Sequence, residues 1–168
     1  MPHSLVAVIA MAMASLVTFQ QHRSVLTQRM VHVRSQIAVE ATAVATDRME
    51  LITAMPFDEA LLAGPAGSAS DLTAFVSGAG QLGESSGLND VDDFDGATSD
   101  EVRSAAGKSL RFRTIARVSY ISEADGQTPL GYMTRLKRVT VSAVSLDIPS
   151  ADTIRVAEIV DCGELCAW

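Results

Sequence analysis

Residues 2–56 read PHSLVAVIAMAMASLVTFQQHRSVLTQRMVHVRSQIAVEATAVATDRMELITAMP, with Pro at both ends and neither Gly nor Pro between them. Proline is tolerated in the first turn of a helix and stops one further along, so these bounds predict a single helix from about residue 2 to residue 55. At a rise of 1.5 Å per residue it is about 80 Å long, more than a compact domain of this size can bury. The helix divides in two. From Ser4 to Gln21 there is no charged residue, and within SLVAVIAMAMASLVTF only Ser4, Ser15 and Thr18 are polar; roughly 17–25 such residues cross the hydrocarbon of a bilayer. Beyond that run, apolar residues recur at Leu26, Met30, Val33, Ile37, Val44 and Leu51, the spacing of an amphipathic stripe. A membrane accounts for the first third only, so the rest must lie on the chain's own domain, on other subunits, or on both. Leu5, Val8, Ile9, Ala12, Leu16, Leu26, Met30, Val33 and Ile37 supply the uncharged surface expected to carry assembly.

Composition bounds the remainder. The chain has 168 residues, 48% hydrophobic and only 5% aromatic, with a net charge of −7. That is enough for one core built from small aliphatic side chains, and the acidic balance excludes nucleic acid as an expected partner, because phosphate contacts need clustered Lys and Arg. The charge is uneven. Residues 1–55 hold four Arg against three acids, residues 56–109 hold ten acids against Arg103 and Lys108, and residues 110–168 are balanced. The negative excess therefore belongs to the middle third. No Lys or Arg precedes the apolar run while Arg23, Arg29 and Arg34 follow it; read literally, the positive-inside rule puts the folded part in the cytoplasm, and a basic leader removed before Met1 reverses that.

Residues 56–109 contain eight of the eleven Gly and form a long variable loop region. Weak signals within it are a short helix or strand from Asp71 to Val76 and a helical turn over Asp100–Ala106 after a Ser99 cap. Its phrase LNDVDDFDG, Leu88–Gly96, places Asp90, Asp92, Asp93 and Asp95 ahead of a Gly. Hard oxygen ligands before a tight turn suit Ca²⁺, although Val91 and Val102 stand where an EF-hand needs its first and twelfth ligands. The alternatives are a solvated acidic turn facing a basic surface and no particular role.

After Ser109 the period becomes two. In LRFRTIARVSYIS, Leu110, Phe112, Ala116, Val118 and Tyr120 share one face and Arg111, Arg113 and Arg117 the other, which predicts a half-buried strand. A turn at Asp125–Gly126 leads to a second strand over about 131–146, with a bulge expected between Leu136 and Val139 where the apolar phase slips. A third strand follows over about 153–160. The expected fold class is α+β: the long helix packed on a small antiparallel sheet of three or more strands, residues 110–168 forming the sheet domain. Arg111, Arg113, Arg135, Lys137 and Arg138 read as solvated surface. Cys162 and Cys166 are spaced for a small disulfide loop outside the cytoplasm. His3, His22 and His32 have no metal-ligand spacing, and no nucleophile or phosphate-loop phrase occurs, so no catalytic residue and no enzyme activity are expected.

An apolar start, an unbroken helix of this length, a Gly-rich loop containing LNDVDDFDG and a few strands together resemble a type IV pilin or type II secretion pseudopilin. Leu5 stands where that family usually carries Glu. The resemblance implies a leader cut from the precursor, storage in the inner membrane with the globular domain outside, and extraction into an extracellular helical filament with copies of itself or related subunits. The other class considered is a single-span cell-envelope binding module presenting the acidic loop, with calcium as its only expected cofactor.

Overall fold

The computed structural model describes residues 2–73, 87–105, 107–148 and 151–168, with the side chains of residues 2–10 outside the described set. Helix α1 spans Pro2–Thr53 without interruption and ends just before Pro56. Strands β1 (Thr98–Ala105), β2 (Lys108–Tyr120), β3 (Leu136–Ser145) and β4 (Ile154–Asp161) follow. They form an antiparallel meander in the order β1-β2-β3-β4. The chain is α+β: one long helix on a four-stranded sheet.

Only the upper part of α1 touches that sheet. Ile37, Ala41, Val44, Ala45, Met49 and Ile52 are buried at helical spacing and pack on Phe112, Ala116, Val118, Val139, Val141 and Ala143. Two alanines on this face, Ala41 and Ala45, leave room for large residues opposite, as a core poor in rings requires. Leu51, expected on the inward stripe, is 45% exposed, because Met49 and Ile52 take the inward positions of the last turn. A second, smaller cluster unites Phe57, Leu61, Leu72, Tyr120 and the disulfide-bonded Cys162 and Cys166 beyond the helix end. There the backbone of Ala66 pairs with that of Leu165 and Ala167, so the carboxy-terminal loop fastens the chain that follows the helix.

Two local expectations are corrected, and a third falls partly outside the described residues. The segment read as a helical turn over Asp100–Ala106 falls in edge strand β1, whose alternation hides because the less exposed face carries Ser99, Glu101, Arg103 and Ala105 while Val102 points outward. It joins β2 through residues 106–107, where Gly107 at φ +74° takes the left-handed conformation that a two-residue hairpin needs. The bulge is absent: β3 begins at Leu136, not near Gly131, and alternates strictly, with Lys137, Val139, Val141, Ala143 and Ser145 facing inward. The phase never slips, since Lys137 itself occupies an inward position. Finally, a 3₁₀ turn at Ala69–Asp71 ends where the Asp71–Val76 element was expected to start, and Ala74–Val76 lie outside the described residues.

The two faces of the last helical turn make a direct check. Ile52→Ala, at a fully buried site, should destabilise the fold by about 2–5 kcal/mol, and Leu51→Ala should stay within about 0.5 kcal/mol of wild type; denaturant unfolding of the two variants measures both.

Candidate functional site

Below Ile37, α1 leaves the sheet and its side chains are exposed from Met11 to Ser35. Met11, Met13, Leu16, Val17 and Phe19 stand out on all sides of the helix, each more than half exposed. Further up, Leu26, Met30 and Val33 run at helical spacing into the buried stripe that starts at Ile37. A helix apolar all round is buried in its working state. Of the expected assembly positions, Ala12, Leu16, Leu26, Met30 and Val33 lie on this free part. Ile37 does not, because at 4% exposure it belongs to the domain's own core. Leu5, Val8 and Ile9 are in the helix, with side chains outside the described set. Among the described residues no helix is long and apolar enough to cross a membrane.

The acidic phrase forms the second candidate site, and it is not on the surface. Asp90, Asp92 and Asp93 are buried within and beside a 3₁₀ turn at Asp92–Phe94 that lies under the helix end. Asp93 accepts a hydrogen bond from the Asn89 amide at 2.9 Å and Asp95 from the Val118 amide at 3.0 Å. Gly96, at φ +81°, ends the turn and bonds to the Ala116 carbonyl. Asp90 accepts from the amides of Glu59, Asp92 and Asp93. The four carboxylates expected to act together therefore divide. Asp93 and Asp95 brace backbone, while Asp90 and Asp92 converge with Asp58, their ligand oxygens all within 4.8 Å of one another.

A cation already faces this trio. The Lys137 side chain, fully buried, reaches in from the first inward position of β3 and sets its Nζ 3.1 Å from Asp92 Oδ1 and 3.9 Å from Asp58 Oδ2. The ammonium donates to the Phe57 carbonyl at 2.5 Å and lies 4.2 Å and 5.1 Å from the ring centroids of Phe57 and Tyr120. Calcium takes six to eight oxygens, and a trio of carboxylates of which two already face an ammonium does not fit that shell. Burial raises the pKa of Asp90 to about 6, helped by the Asp92 carboxyl beside it. Burial likewise raises Asp92, against the pull of Lys137, and Glu59. The cluster thus holds an amine, a carboxylate and a carboxyl that keeps its proton into mildly acidic solution, all out of water.

Comparison with protein-family models, curated proteins and solved structures finds no match. Function has to be read from the geometry.

Sequence reasoning missed Asp58 and Lys137. Lys137 was expected on a solvated basic face, and the signal against that was its place two residues before Val139, in phase with the buried side of β3. Four other basic residues of the strands, Arg111, Arg113, Arg135 and Arg138, have partners within the chain. Arg113 makes a two-pronged pair with Asp100 at 2.7 Å, and Arg111 pairs with Asp147 at 2.7 Å, so neither is offered to an acidic loop. Arg135 and Arg138 donate to the Gly163 and Gly126 carbonyls. A notch of about 80 Å³ where the helix meets the sheet, lined by Arg34, Ile37, Ala38, Ile148, Ala151 and Asp152, is far smaller than the ~300–1,000 Å³ of ligand pockets.

The raised carboxyl has a pH signature of definite sign. A buried acid titrating above its unfolded value of about 3.9 contributes stability that is whole at low pH and lost as pH rises through the folded pKa. Asp100, Asp125 and Asp147, held low by Arg113, by Thr128 with nearby amides, and by Arg111, act the other way and only below about pH 4. Unfolding free energy should therefore fall between about pH 4 and 6, and Asp90→Asn should flatten that slope in denaturant titrations repeated across pH.

Proposed function

We propose that this chain is a structural subunit of an extracellular, type IV pilus-like filament, assembled by packing of its amino-terminal helices and held in the membrane, globular domain outside, before assembly. One observation carries the reading: a helix of 52 residues in which the sheet covers only the stretch from Ile37 onward, while the same apolar stripe continues bare through Val33, Met30, Leu26 and Leu16. Neighbouring copies offer that stripe an identical partner. Ala12, Ala14 and the other small residues of the lower half allow close helix approach, and each buried Leu, Met or Val side chain contributes roughly 1.5–3 kcal/mol.

Charge supports a staggered arrangement. All of the acidic residues lie from Glu40 onward, whereas Arg23, Arg29 and Arg34 are on the bare helix. Copies packed in register would stack arginine on arginine; an axial offset sets the arginines of one copy beside the acidic domain of another. The rival reading, a single-span binding module, needs an acidic loop presented to solvent. Asp90, Asp92 and Asp93 are buried instead, so the observation favours assembly.

Ala12→Asp or Leu26→Asp should abolish filaments and leave the sheet domain folded, since a carboxylate in an apolar bundle costs several kcal/mol. Negative-stain imaging of cell-surface material, with the chain located by antibody, measures this. Filaments at normal abundance from either variant would overturn the reading.

A further inference from the structure

The contact between Lys137 and Asp92 unites an amine and a carboxyl that are 0% and 2% exposed and 3.1 Å apart. Among the described residues neither oxygen of Asp92 has a well-aligned hydrogen-bond donor, so the ammonium approaches Oδ1 out of hydrogen-bond alignment. That is unusual for a buried carboxylate, whose charge is otherwise satisfied by two or more donors. Its surroundings are apolar. Val91 and Phe94, on either side of the Asp92–Asp93 pair in the chain, are fully buried, and the rings of Phe57 and Tyr120 flank the amine. Two further carboxyls, Asp90 and Asp58, lie within 4.8 Å of Asp92 by their nearest oxygens.

We propose that Lys137 and Asp92 condense to an intramolecular isopeptide bond joining β3 to the acidic turn. The overall change takes one ammonium and one carboxylate to one amide and one water, with no oxidant, reductant or co-reactant. Asp90 gives its proton to a carboxylate oxygen of Asp92, turning it into a hydroxyl. Lys137 passes one proton to Asp58, and the freed electron pair on Nζ forms a bond to Asp92 Cγ. The nitrogen then returns a proton to Asp90, the C–O bond breaks, and the hydroxyl leaves as water with the proton held on Asp58. Of the four protons involved at the start, one stays on the amide nitrogen, two leave in water and one is back on Asp90, so both helper acids are restored.

Three physical terms favour the step. Fixed contact replaces a bimolecular encounter and is worth an effective concentration of up to about 10⁵–10⁸ M in well-oriented cases. An amide removes two buried charges whose desolvation weighs against the folded state. Exclusion of water from the site withholds the reactant that hydrolysis would need. A carboxyl that burial raises to about 6 holds its proton in mildly acidic solution and stays within reach of protonation near neutral pH, as the acid of such a condensation must. The proposal is independent of filament assembly.

Mass spectrometry of the full chain, purified in detergent and then reduced and denatured, tests it. The chain should be lighter than its sequence by one water beyond any end processing, and digestion should release one branched peptide joining the segment around Asp92 to that around Lys137. Asp92→Asn should yield the same branched peptide by losing ammonia, and Asp90→Asn should slow its formation by roughly 10²-fold or more. Lys137→Arg should keep the full mass. The proposal is overturned if the folded wild-type chain gives only separate, unmodified peptides. It is equally overturned if the water loss persists in Lys137→Arg, which would place it at a succinimide of Asp95–Gly96. Should Lys137→Arg fail to fold, the presence or absence of the branched peptide in the wild-type chain decides alone.

Discussion

The ammonium of Lys137 is the point on which the arrangement of the domain turns. A charged amine with no exposed surface is tolerated only if partners are delivered to it, and here they come from two segments distant from Lys137 in the chain. Phe57 and Asp58 arrive directly after the helix, Asp92 arrives from the acidic turn, and Lys137 itself opens β3. Satisfying the amine therefore fixes where the helix ends relative to the sheet. Two neighbouring bonds reinforce the same junction, since the Val91 amide donates to the Pro56 carbonyl and the Glu59 amide to Asp90. The apolar stripe from Ile37 to Ile52 sets which face of the helix meets the sheet; the polar cluster sets its axial position and closes the far end.

This division of labour explains what could be read from the sequence and what could not. The helix, its stop at Pro56 and the strands β2, β3 and β4 were legible because each announces itself by local period or by proline. The Cys162–Cys166 bond was legible from the isolation of two thiols. Strand β1 was not, because TSDEVRSA has no apolar alternation; pairing with β2 makes it a strand, with Asp100 directly opposite Arg113 in the register. The acidic phrase reads from the sequence as a calcium loop, a solvated turn or a stretch without a role, since four Asp in six residues look accessible to ions and water. Only the tertiary arrangement supplies the buried Lys137 and the backbone amides that take them in. The same ignorance produced the expected bulge: a lysine at an inward strand position looks like a slip of phase until its partner is known.

The residues that surround the amine also set the chemical character of the cluster. Phe57 and Tyr120 offer ring faces that attract a cation without donating a proton, and burial keeps Asp90 protonated further up the pH scale than a solvated carboxyl. With three carboxylates near one ammonium, full ionisation would leave an excess of negative charge out of water. Retaining a proton is the cheapest relief for that excess, and Asp90, raised by burial and by the Asp92 carboxyl beside it, is the group that does so. The buried site is therefore closer to a proton-holding pair with an amine at its side than to an ion-binding loop.

Length supplies the remaining argument. Strands β3 and β4, ten and eight residues long, reach about 25–35 Å at roughly 3.3 Å per residue. The helix segment that rests on them, residues 37–53, covers about 25 Å, so helix and sheet match in that stretch and nowhere else. The sheet cannot be extended to reach the rest of α1, because at that end, where Ser104, Ala105, Ile148 and Ala151 lie beside residues 34–40 of the helix, β1 gives way to β2 and β3 to β4. Between residues 11 and 35 roughly 35–40 Å of helix is thus left without cover by the chain's own domain. The uncovered part is also the part richest in Met, Val, Leu and Ala and free of acids, the opposite of what a solvated projection would carry. A surface of that composition is matched by another apolar helix or by lipid, and in the filament we propose a repeating set of identical helices would satisfy it while leaving the sheet domains on the outside.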